Sequence, residues 1–292
     1  MQCDIIHLVI VRNLSLSHNF VFDSPGKTNA FHTSMRTELA VMYNDTSVLE
    51  NWHVAHAFSR MLNIQLLGTK NIHDSQVLRS GDQASKGFTK CDTNILCNIS
   101  AGEFKNIRNL MIEAVLHTDM SKHFEMVNAA KGLQMQPRSE EKSWKVLMYC
   151  LHLSDISSQA KAAPLFYQWT NRCMDEFFAQ GDEEAKLGLP ISPNCDRNTT
   201  STPESQVGFI RFIVEPAYEV LGTFIPFVEE KVMNIISANL DHWLAKLDEE
   251  SESSEEPKQK ALDANSSNIA DDDGQEPLQS GDAHVSVATE NS

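Results

Sequence analysis

The chain has 292 residues, of which 41% are hydrophobic, so it is long enough to bury a sizeable core in one large domain or two ordinary ones. Its formal net charge is −16 at pH 7. Because nucleic-acid polymers and anionic membranes are bound by clusters of Lys and Arg, this charge argues against both as partners.

The cysteines and the apolar segments indicate where the protein resides. The six cysteines include no C-x-x-C pair and no regular framework, which indicates free thiols in a reducing compartment. The apolar run at 5–11 is too short to span a bilayer and lacks the other features of a signal peptide. We therefore expect a cytoplasmic protein without a membrane segment.

The first two-thirds of the chain is predicted to form helices, with one long loop between two of them. Residues 1–22 are an unassigned amino-terminal segment. A helix is predicted to start at about Ser47, where S-V-L-E has the spacing of a capping box and apolar residues then recur every three or four positions. Residues 66–90 lose this periodicity and contain three glycines, which predicts a loop or insertion. Helical patterns return at 104–115, 144–151 and 164–178, and Pro164 suits a first helical turn.

The last third is predicted to hold one more apolar helix and a tail. An ordered loop at 188–203 precedes a helix from about Glu204, which Pro216 and Pro226 should kink or break. Residues 249–292 contain twelve acidic and two basic residues, too polar a composition to offset the entropy of ordering. Alternating, strand-like patterns are confined to the first dozen positions. We predict an all-α domain over 23–247 and a disordered acidic tail over 248–292.

A pattern suited to nucleobase binding begins the last apolar helix, in S-Q-V-G-F-I at 205–210. Gln206 and Phe209 are three residues apart, so their side chains share one helical face. An amide can hydrogen-bond the edge of a flat heterocycle while an aromatic ring stacks on its plane. The alternative is a core helix with one hydrogen-bonded glutamine, because Gln-x-x-Phe also arises by chance.

Three polar positions lie where predicted helices begin or end: Glu50, Thr118 with Asp119, and Asp155. Carboxylates bind divalent cations directly, and further carboxylates and hydroxyls orient metal-bound waters. Helix capping is the alternative for each of them. Helical histidines are more often structural than metal-binding, which applies to His53, His56, His117, His123 and His152.

Seven segments occur in a specific order: P-G-K-T-N at 25–29, E-L-A-V-M-Y-N-D-T-S-V-L-E-N-W-H at 38–53, T-D-M-S-K-H at 118–123, S-D-I-S at 154–157, E-F-F-A-Q-G-D at 176–182, S-P-N-C-D-R at 192–197 and S-Q-V-G-F-I at 205–210. Together they resemble the catalytic domain of the class I 3′,5′-cyclic-nucleotide phosphodiesterases. The resemblance covers about 25–216 and continues more weakly to 247. It implies a compact multi-helix catalytic domain that acts in cyclic-nucleotide signalling.

What the resemblance implies for chemistry is a two-metal site, usually zinc with magnesium or manganese. Its bridging hydroxide hydrolyses cAMP or cGMP to the 5′-monophosphate while a histidine protonates the leaving oxygen. Asp155 matches the aspartate that binds the metals, and Glu50 and Thr118 match groups that hold metal-bound waters.

On the base side, the resemblance makes Gln206 the purine-binding glutamine and Phe209 the ring that stacks on the base. Cys173 and Phe177 fall where the family lines the opposite wall of the base slot. Cys173 is smaller than the branched residue usual there, which implies a looser wall. The expected ligand is a cyclic purine nucleotide.

The amino-terminal end departs from the family pattern. In the family, P-G-x-T-N follows H-D-x-D-H, whose first histidine and aspartate bind metal, whereas residues 20–24 here read F-V-F-D-S. The upstream H-N-x-x-H helix, which supplies another metal-binding histidine and the general acid, has no counterpart, and Trp52 replaces the first histidine of L-E-N-H-H. Since several ligands must act together, we expect Asp155 to bind metal weakly and hydrolysis to be impaired.

Two hypotheses follow from these departures. The first is a metal-dependent phosphodiesterase with a reduced site. The second is a non-catalytic nucleotide-binding or protein-interaction module, which associates with itself or with a full-length relative through apolar faces. A generic helical scaffold without a ligand is disfavoured by the ordered set of motifs.

Overall fold

The computed structural model describes residues 26–62 and 96–267, with side chains up to residue 252. Within these ranges the regular structure is helical and contains no strand, which confirms the predicted all-α class. The predicted insertion at 66–90 and the unassigned segment at 1–22 lie outside the described residues. No helix in the described part of the chain is long and apolar enough to cross a membrane.

The α-helices are α1 (Asn29–Ser34), α2 (Glu38–Met42), α3 (Val48–Leu62), α4 (Ala101–Leu116), α5 (His123–Leu133), α6 (Glu140–Asp155), α7 (Ala163–Lys186), α8 (Thr202–Phe209), α9 (Glu215–Gly222) and α10 (Met233–Ser267). Short 3₁₀ turns at Met120–Lys122 and Ser157–Ala160 precede α5 and α7. Wide, π-type turns at Ile210–Val214 and Val228–Val232 lead into α9 and α10.

Local sequence explains most helix starts. Ser100 and Glu103 form a capping box at α4, and Pro164 lies in the first turn of α7 as predicted. Helix α3 begins at Val48, and the side chain of Asn29 accepts a hydrogen bond from the N–H of Leu49 at 2.9 Å. The start of α3 is therefore supported by a residue from α1, a contact that its own sequence does not predict.

Two buried tyrosines join helices α6 and α9. The hydroxyl of Tyr149 on α6 donates to the carbonyl of Ala217 at 2.8 Å, and the hydroxyl of Tyr218 on α9 donates to the carbonyl of Leu153 at 3.0 Å. Each buried O–H thus finds an acceptor on the opposite helix. This reciprocal pair holds the end of α6 close to the chain that follows α8.

The prolines act where the sequence predicts. Helix α8 ends at Phe209, and Pro216 lies in the first turn of α9. Between them is the wide turn, in which backbone hydrogen bonds span five residues instead of four. Helix α9 ends at Gly222, before Pro226.

The chain divides after Leu244 into two units. In the second unit α10 continues to Ser267, so it overlaps residues 248–267 of the predicted tail. Glu, Lys and Ala have good helix propensity even without an apolar face, and Lys246 forms an ion pair with Glu249 at 2.7 Å.

Candidate active site

A strained turn leads into helix α3. Asn44, Asp45 and Ser47 have φ values of 52°, 59° and 43°, which non-glycine residues seldom adopt. Ser47 is buried, and its hydroxyl donates to Oδ2 of Asp119 at 2.7 Å. Such strain persists only where surrounding contacts hold it, and it clusters at functional sites. Here a buried carboxylate 72 residues away holds the turn.

Glu50 follows this turn, in the first turn of α3, and is half-buried. Its Oε2 accepts a hydrogen bond from Nδ2 of Asn29 at 2.9 Å. Because Oδ1 of Asn29 also accepts from the N–H of Leu49, the two contacts fix both the carboxylate and the backbone beside it. The asparagine of P-G-K-T-N therefore orients Glu50.

Thr118 and Asp119 lie between α4 and α5. Thr118 is half-buried, and its hydroxyl donates to the carbonyl of Val115 at 2.8 Å. Burial alone would raise the pKa of Asp119, but the hydrogen bonds from Ser47 and Ser121 outweigh it, so the pKa is below its ordinary value. Asp119 is therefore a buried anion that links the Thr118 turn to the start of α3.

Asp155 is the last residue of α6 and is exposed. One helical turn earlier, the buried His152 contacts the carbonyl of His117 through Nδ1 at 2.9 Å. Since His117 immediately precedes Thr118, this contact ties the end of α6 to the Thr118 turn. The segments that carry Glu50, Thr118 and Asp155 are thus connected through their neighbours.

These residues do not by themselves make a metal centre. The described ranges contain no group of three or more His, Cys, Asp or Glu side chains placed to hold a metal ion. Glu50 is hydrogen-bonded to Asn29, and the hydroxyl of Thr118 is engaged by the backbone. The donor set found there does not fit a two-metal site, which needs several ligands acting together.

On the base side, Gln206 is buried and its amide is held by other side chains. Its Oε1 accepts from Nε2 of Gln159 at 3.0 Å, and its Nε2 lies 4.0 Å from Sδ of Met174. Phe209, on the same helical face, is half-buried against the core. Neither Gln159 nor Met174 was predicted as a site residue, because a lone Gln in S-S-Q-A-K and a helical Met carry no local signal.

The opposite wall predicted from the resemblance lies on helix α7. Cys173 is exposed and Phe177 is half-buried, whereas the neighbouring Met174 is buried and faces Gln206. The helix therefore directs Met174, rather than Cys173, at the amide.

A buried polar network around Gln180 and Glu184 of this helix joins three of the sequence motifs. Oε1 of Gln180 accepts from the N–H of Thr28 at 2.9 Å, and its Nε2 donates to Glu184 at 2.8 Å. Glu184 also accepts from the N–H of Ser192 at 2.7 Å and from its hydroxyl at 2.6 Å. Burial would raise the pKa of Glu184, but these hydrogen bonds outweigh it and lower the pKa. The polar residues that join these segments thus serve the fold.

Comparisons with known proteins identify the family. The family model for 3′,5′-cyclic nucleotide phosphodiesterases matches residues 14–235. The chain is 42% identical over 200 residues to the human dual specificity calcium/calmodulin-dependent 3′,5′-cyclic nucleotide phosphodiesterase 1C, covering 68% of this chain and 24% of that protein. It is 40% identical over 200 residues to the Bos taurus phosphodiesterase 1B of the same description, covering 68% of this chain and 32% of that protein.

A solved structure shares the fold. The phosphodiesterase domain of the Salpingoeca rosetta rhodopsin phosphodiesterase superposes with a TM-score of 0.70 at 28% identity, covering 86% of this chain and 69% of that one. The chain spans about a quarter to a third of the length of the curated relatives described above. From its motifs, its fold and these matches, the chain belongs to the 3′,5′-cyclic-nucleotide phosphodiesterase family.

Proposed function

We propose that this chain binds a cyclic purine nucleotide in the cytoplasm, with the base held between the amide of Gln206 and the ring of Phe209. The observation that carries the proposal is the buried Gln206 amide, which is held by a hydrogen bond from Gln159. Phe209 lies on the same helical face as Gln206. The relatives are named as 3′,5′-cyclic nucleotide phosphodiesterases, which supports this class of ligand. Phe177 and Cys173 complete the opposite wall of the slot.

The second part of the proposal concerns hydrolysis. Asp155, Glu50 and Thr118 are the retained part of the family's metal side, where divalent ions such as Zn²⁺ with Mg²⁺ or Mn²⁺ supply the hydroxide nucleophile when bound. The sequence F-V-F-D-S at 20–24 replaces the two ligands expected there. We therefore expect weak metal binding and impaired hydrolysis of cAMP and cGMP.

The third part concerns the base. Oε1 of Gln159 is buried and has no hydrogen-bond partner among the described residues. If both amides rotate by half a turn, Nε2 of Gln206 donates to Oε1 of Gln159, so the hydrogen bond between them is kept. Gln206 can then present either order of donor and acceptor to a purine edge. We propose that adenine and guanine nucleotides are both accepted, in agreement with the dual specificity named for the relatives.

Nucleotide binding is tested with Gln206→Ala and the neighbouring Ser205→Ala as the matched control. Equilibrium dialysis with cAMP and with cGMP should show affinity about 10-fold lower or more for Gln206→Ala, since a loss of about 1.4 kcal/mol is tenfold. Ser205→Ala should bind as the unaltered chain does. Unchanged affinity in Gln206→Ala would refute the base site.

The amide pair is tested with Gln159→Glu, which is close to isosteric but only accepts hydrogen bonds when ionised. It should fix Gln206 with Nε2 toward residue 159 and change the ratio of cAMP to cGMP affinity by about 10-fold, the equivalent of about 1.4 kcal/mol. Gln159→Met removes the partner without imposing an orientation, and should leave the ratio unchanged. An unchanged ratio in both variants would contradict the rotating pair.

Hydrolysis is tested by combining Phe20→His, Val21→Asp and Ser24→His, which writes H-D-F-D-H before Pro25. With Zn²⁺ and Mg²⁺ present, this variant should hydrolyse cyclic nucleotide faster than the unaltered chain, and Asp155→Ala should abolish the gain. Hydrolysis by the unaltered chain that survives Asp155→Ala would refute the assignment of Asp155.

The second candidate function is a non-catalytic module that binds nucleotide and associates with itself or with a full-length relative. The same replacement at 20–24 favours it. It would be supported by nucleotide binding without hydrolysis in either form, together with a concentration-dependent mass in sedimentation equilibrium.

A further inference from the structure

Two fully buried histidines contact one another between helices α5 and α6. His123 and His152 are 2% and 0% exposed, and Nδ1 of His123 lies 2.9 Å from Nε2 of His152. Burying polar rings costs free energy that an apolar side chain would not. The nucleotide-binding and hydrolytic roles proposed above use neither ring, so the contact between the two rings needs a separate explanation.

The acceptor at one end determines which nitrogens carry protons. Nδ1 of His152 contacts the carbonyl of His117 at 2.9 Å, and a carbonyl only accepts, so Nδ1 carries the proton. Burial lowers the pKa of both rings, which favours their neutral forms. Nε2 of neutral His152 is then an acceptor, and Nδ1 of His123 donates to it. The pair is a directional chain of two hydrogen bonds that ends on the backbone beside Thr118.

Three segments of the candidate site meet at this pair. The carbonyl of His117 directly precedes Thr118, and His152 lies one helical turn before Asp155 on α6. His123 is the first residue of helix α5, which packs against helix α9, and α9 follows the wide turn after Phe209. The two rings therefore connect the metal side of the site with its base side.

We propose that His123 and His152 are positioning residues, which hold the Thr118 turn against the end of α6 and against the segment that follows Phe209. The inference rests on the proposed function for the importance of these segments, whereas the contacts themselves do not depend on it. Removing the pair should loosen the Thr118 turn more than it loosens the rest of the domain. A core variant that lowers global stability equally provides the comparison.

The experiment compares His152→Leu, His152→Asn and His123→Leu in the full chain by amide hydrogen exchange. The amides of Thr118 and Lys122 report on the turn, because they donate to the carbonyls of Val115 and Asp119 at 3.0 Å each. The side-chain amide of Asn can replace Nδ1 of His152 as donor to the His117 carbonyl, although it loses the contact with His123. A core variant on α10, Ile236→Ala, is the control for lost global stability.

In His152→Leu, exchange at residues 118 and 122 should be about 10-fold faster or more than in the control, because at least one hydrogen bond of about 1.4 kcal/mol is lost. His152→Asn should lie between His152→Leu and the unaltered chain, and His123→Leu should also accelerate exchange there. Equal exchange in the Leu variants and the control would overturn the proposal. So would the absence of any rescue by Asn.

Nucleotide binding by the same variants separates this inference from the proposed function. The Leu variants should bind cAMP and cGMP more weakly than Ile236→Ala does. If the unaltered chain binds neither nucleotide, the proposed function fails, whereas the exchange data still decide whether the pair holds the turn. Normal binding in His152→Leu would overturn the positioning role even if exchange is faster.

Discussion

Gly181 on helix α7 is the position where one added methyl group should have the largest effect. A Cβ built there would lie 1.9 Å from the carbonyl oxygen of Cys195 and 2.6 Å from its carbonyl carbon. Carbon and carbonyl oxygen normally approach no closer than about 3.3 Å, so the Cys195 backbone would have to withdraw by roughly 1.4 Å. Backbone in a short hydrogen-bonded turn cannot do this without losing contacts.

The cost can be worked out from those contacts. The N–H of Cys195 donates to the carbonyl of Ser192 at 3.0 Å, and Ser192 is in turn held by the buried Glu184. Overpacking costs about 1–3 kcal/mol, and losing a hydrogen bond to a charged group costs about 1.5–3 kcal/mol. The better helix propensity of Ala returns only about 1 kcal/mol. We expect Gly181→Ala to lower the free energy of unfolding by about 3 kcal/mol.

Thermal unfolding followed by circular dichroism checks this value. For a domain of this size a loss of about 3 kcal/mol lowers Tm by roughly 6–12 °C. Gly132→Ala on α5 is the matched control, because a Cβ there would meet nothing within 4 Å, and it should leave Tm unchanged or slightly higher. A Tm for Gly181→Ala at or above that of the unaltered chain would refute the steric argument, since helix propensity alone predicts that result.

Three further predictions concern buried polar groups. Asp119→Ala should lower the free energy of unfolding in urea by about 2–3 kcal/mol, because it leaves the hydroxyl of Ser47 without its acceptor, and a loss below about 0.5 kcal/mol would contradict the role given to Asp119. Glu184→Gln should cost about 2 kcal/mol in the same assay, since the amide nitrogen cannot accept from Ser192, and unchanged stability would show that the network is replaceable. Because the pKa values of the buried His123 and His152 lie below the ordinary 6.5, the unfolded chain takes up protons first on acidification, so urea stability should fall as the pH drops through 6.5. Equal stability at pH 7.5 and 5.5 would contradict the neutral state of the pair.

The sequence predicted those parts of the fold that depend on local chemistry. Apolar periodicity located helices α3, α4, α6 and α7, and Pro164 and Pro216 lie in first turns because a missing N–H is tolerated there. The ordered motifs predicted the family, which the comparisons confirm. The roles of Glu50, Thr118, Asp155, Gln206, Phe209, Phe177 and Cys173 remain predictions.

What the sequence did not predict depends on contacts between distant segments. Gln159 meets Gln206 across 47 residues, and Ser47 meets Asp119 across 72. Neither contact follows from periodicity or from capping rules, because those describe neighbours three or four positions apart. The proximity of Gly181 to Cys195 was hidden for the same reason.

The hydrogen bond from Thr28 to Gln180 has a consequence for synthesis of the chain. Its partners are 152 residues apart, and the N–H of Thr28 stays without this acceptor until Gln180 has been translated. At about 5–20 residues per second, that interval is roughly 8–30 s. The segment that orients Glu50 through Asn29 therefore gains this contact only after most of the domain has been synthesised.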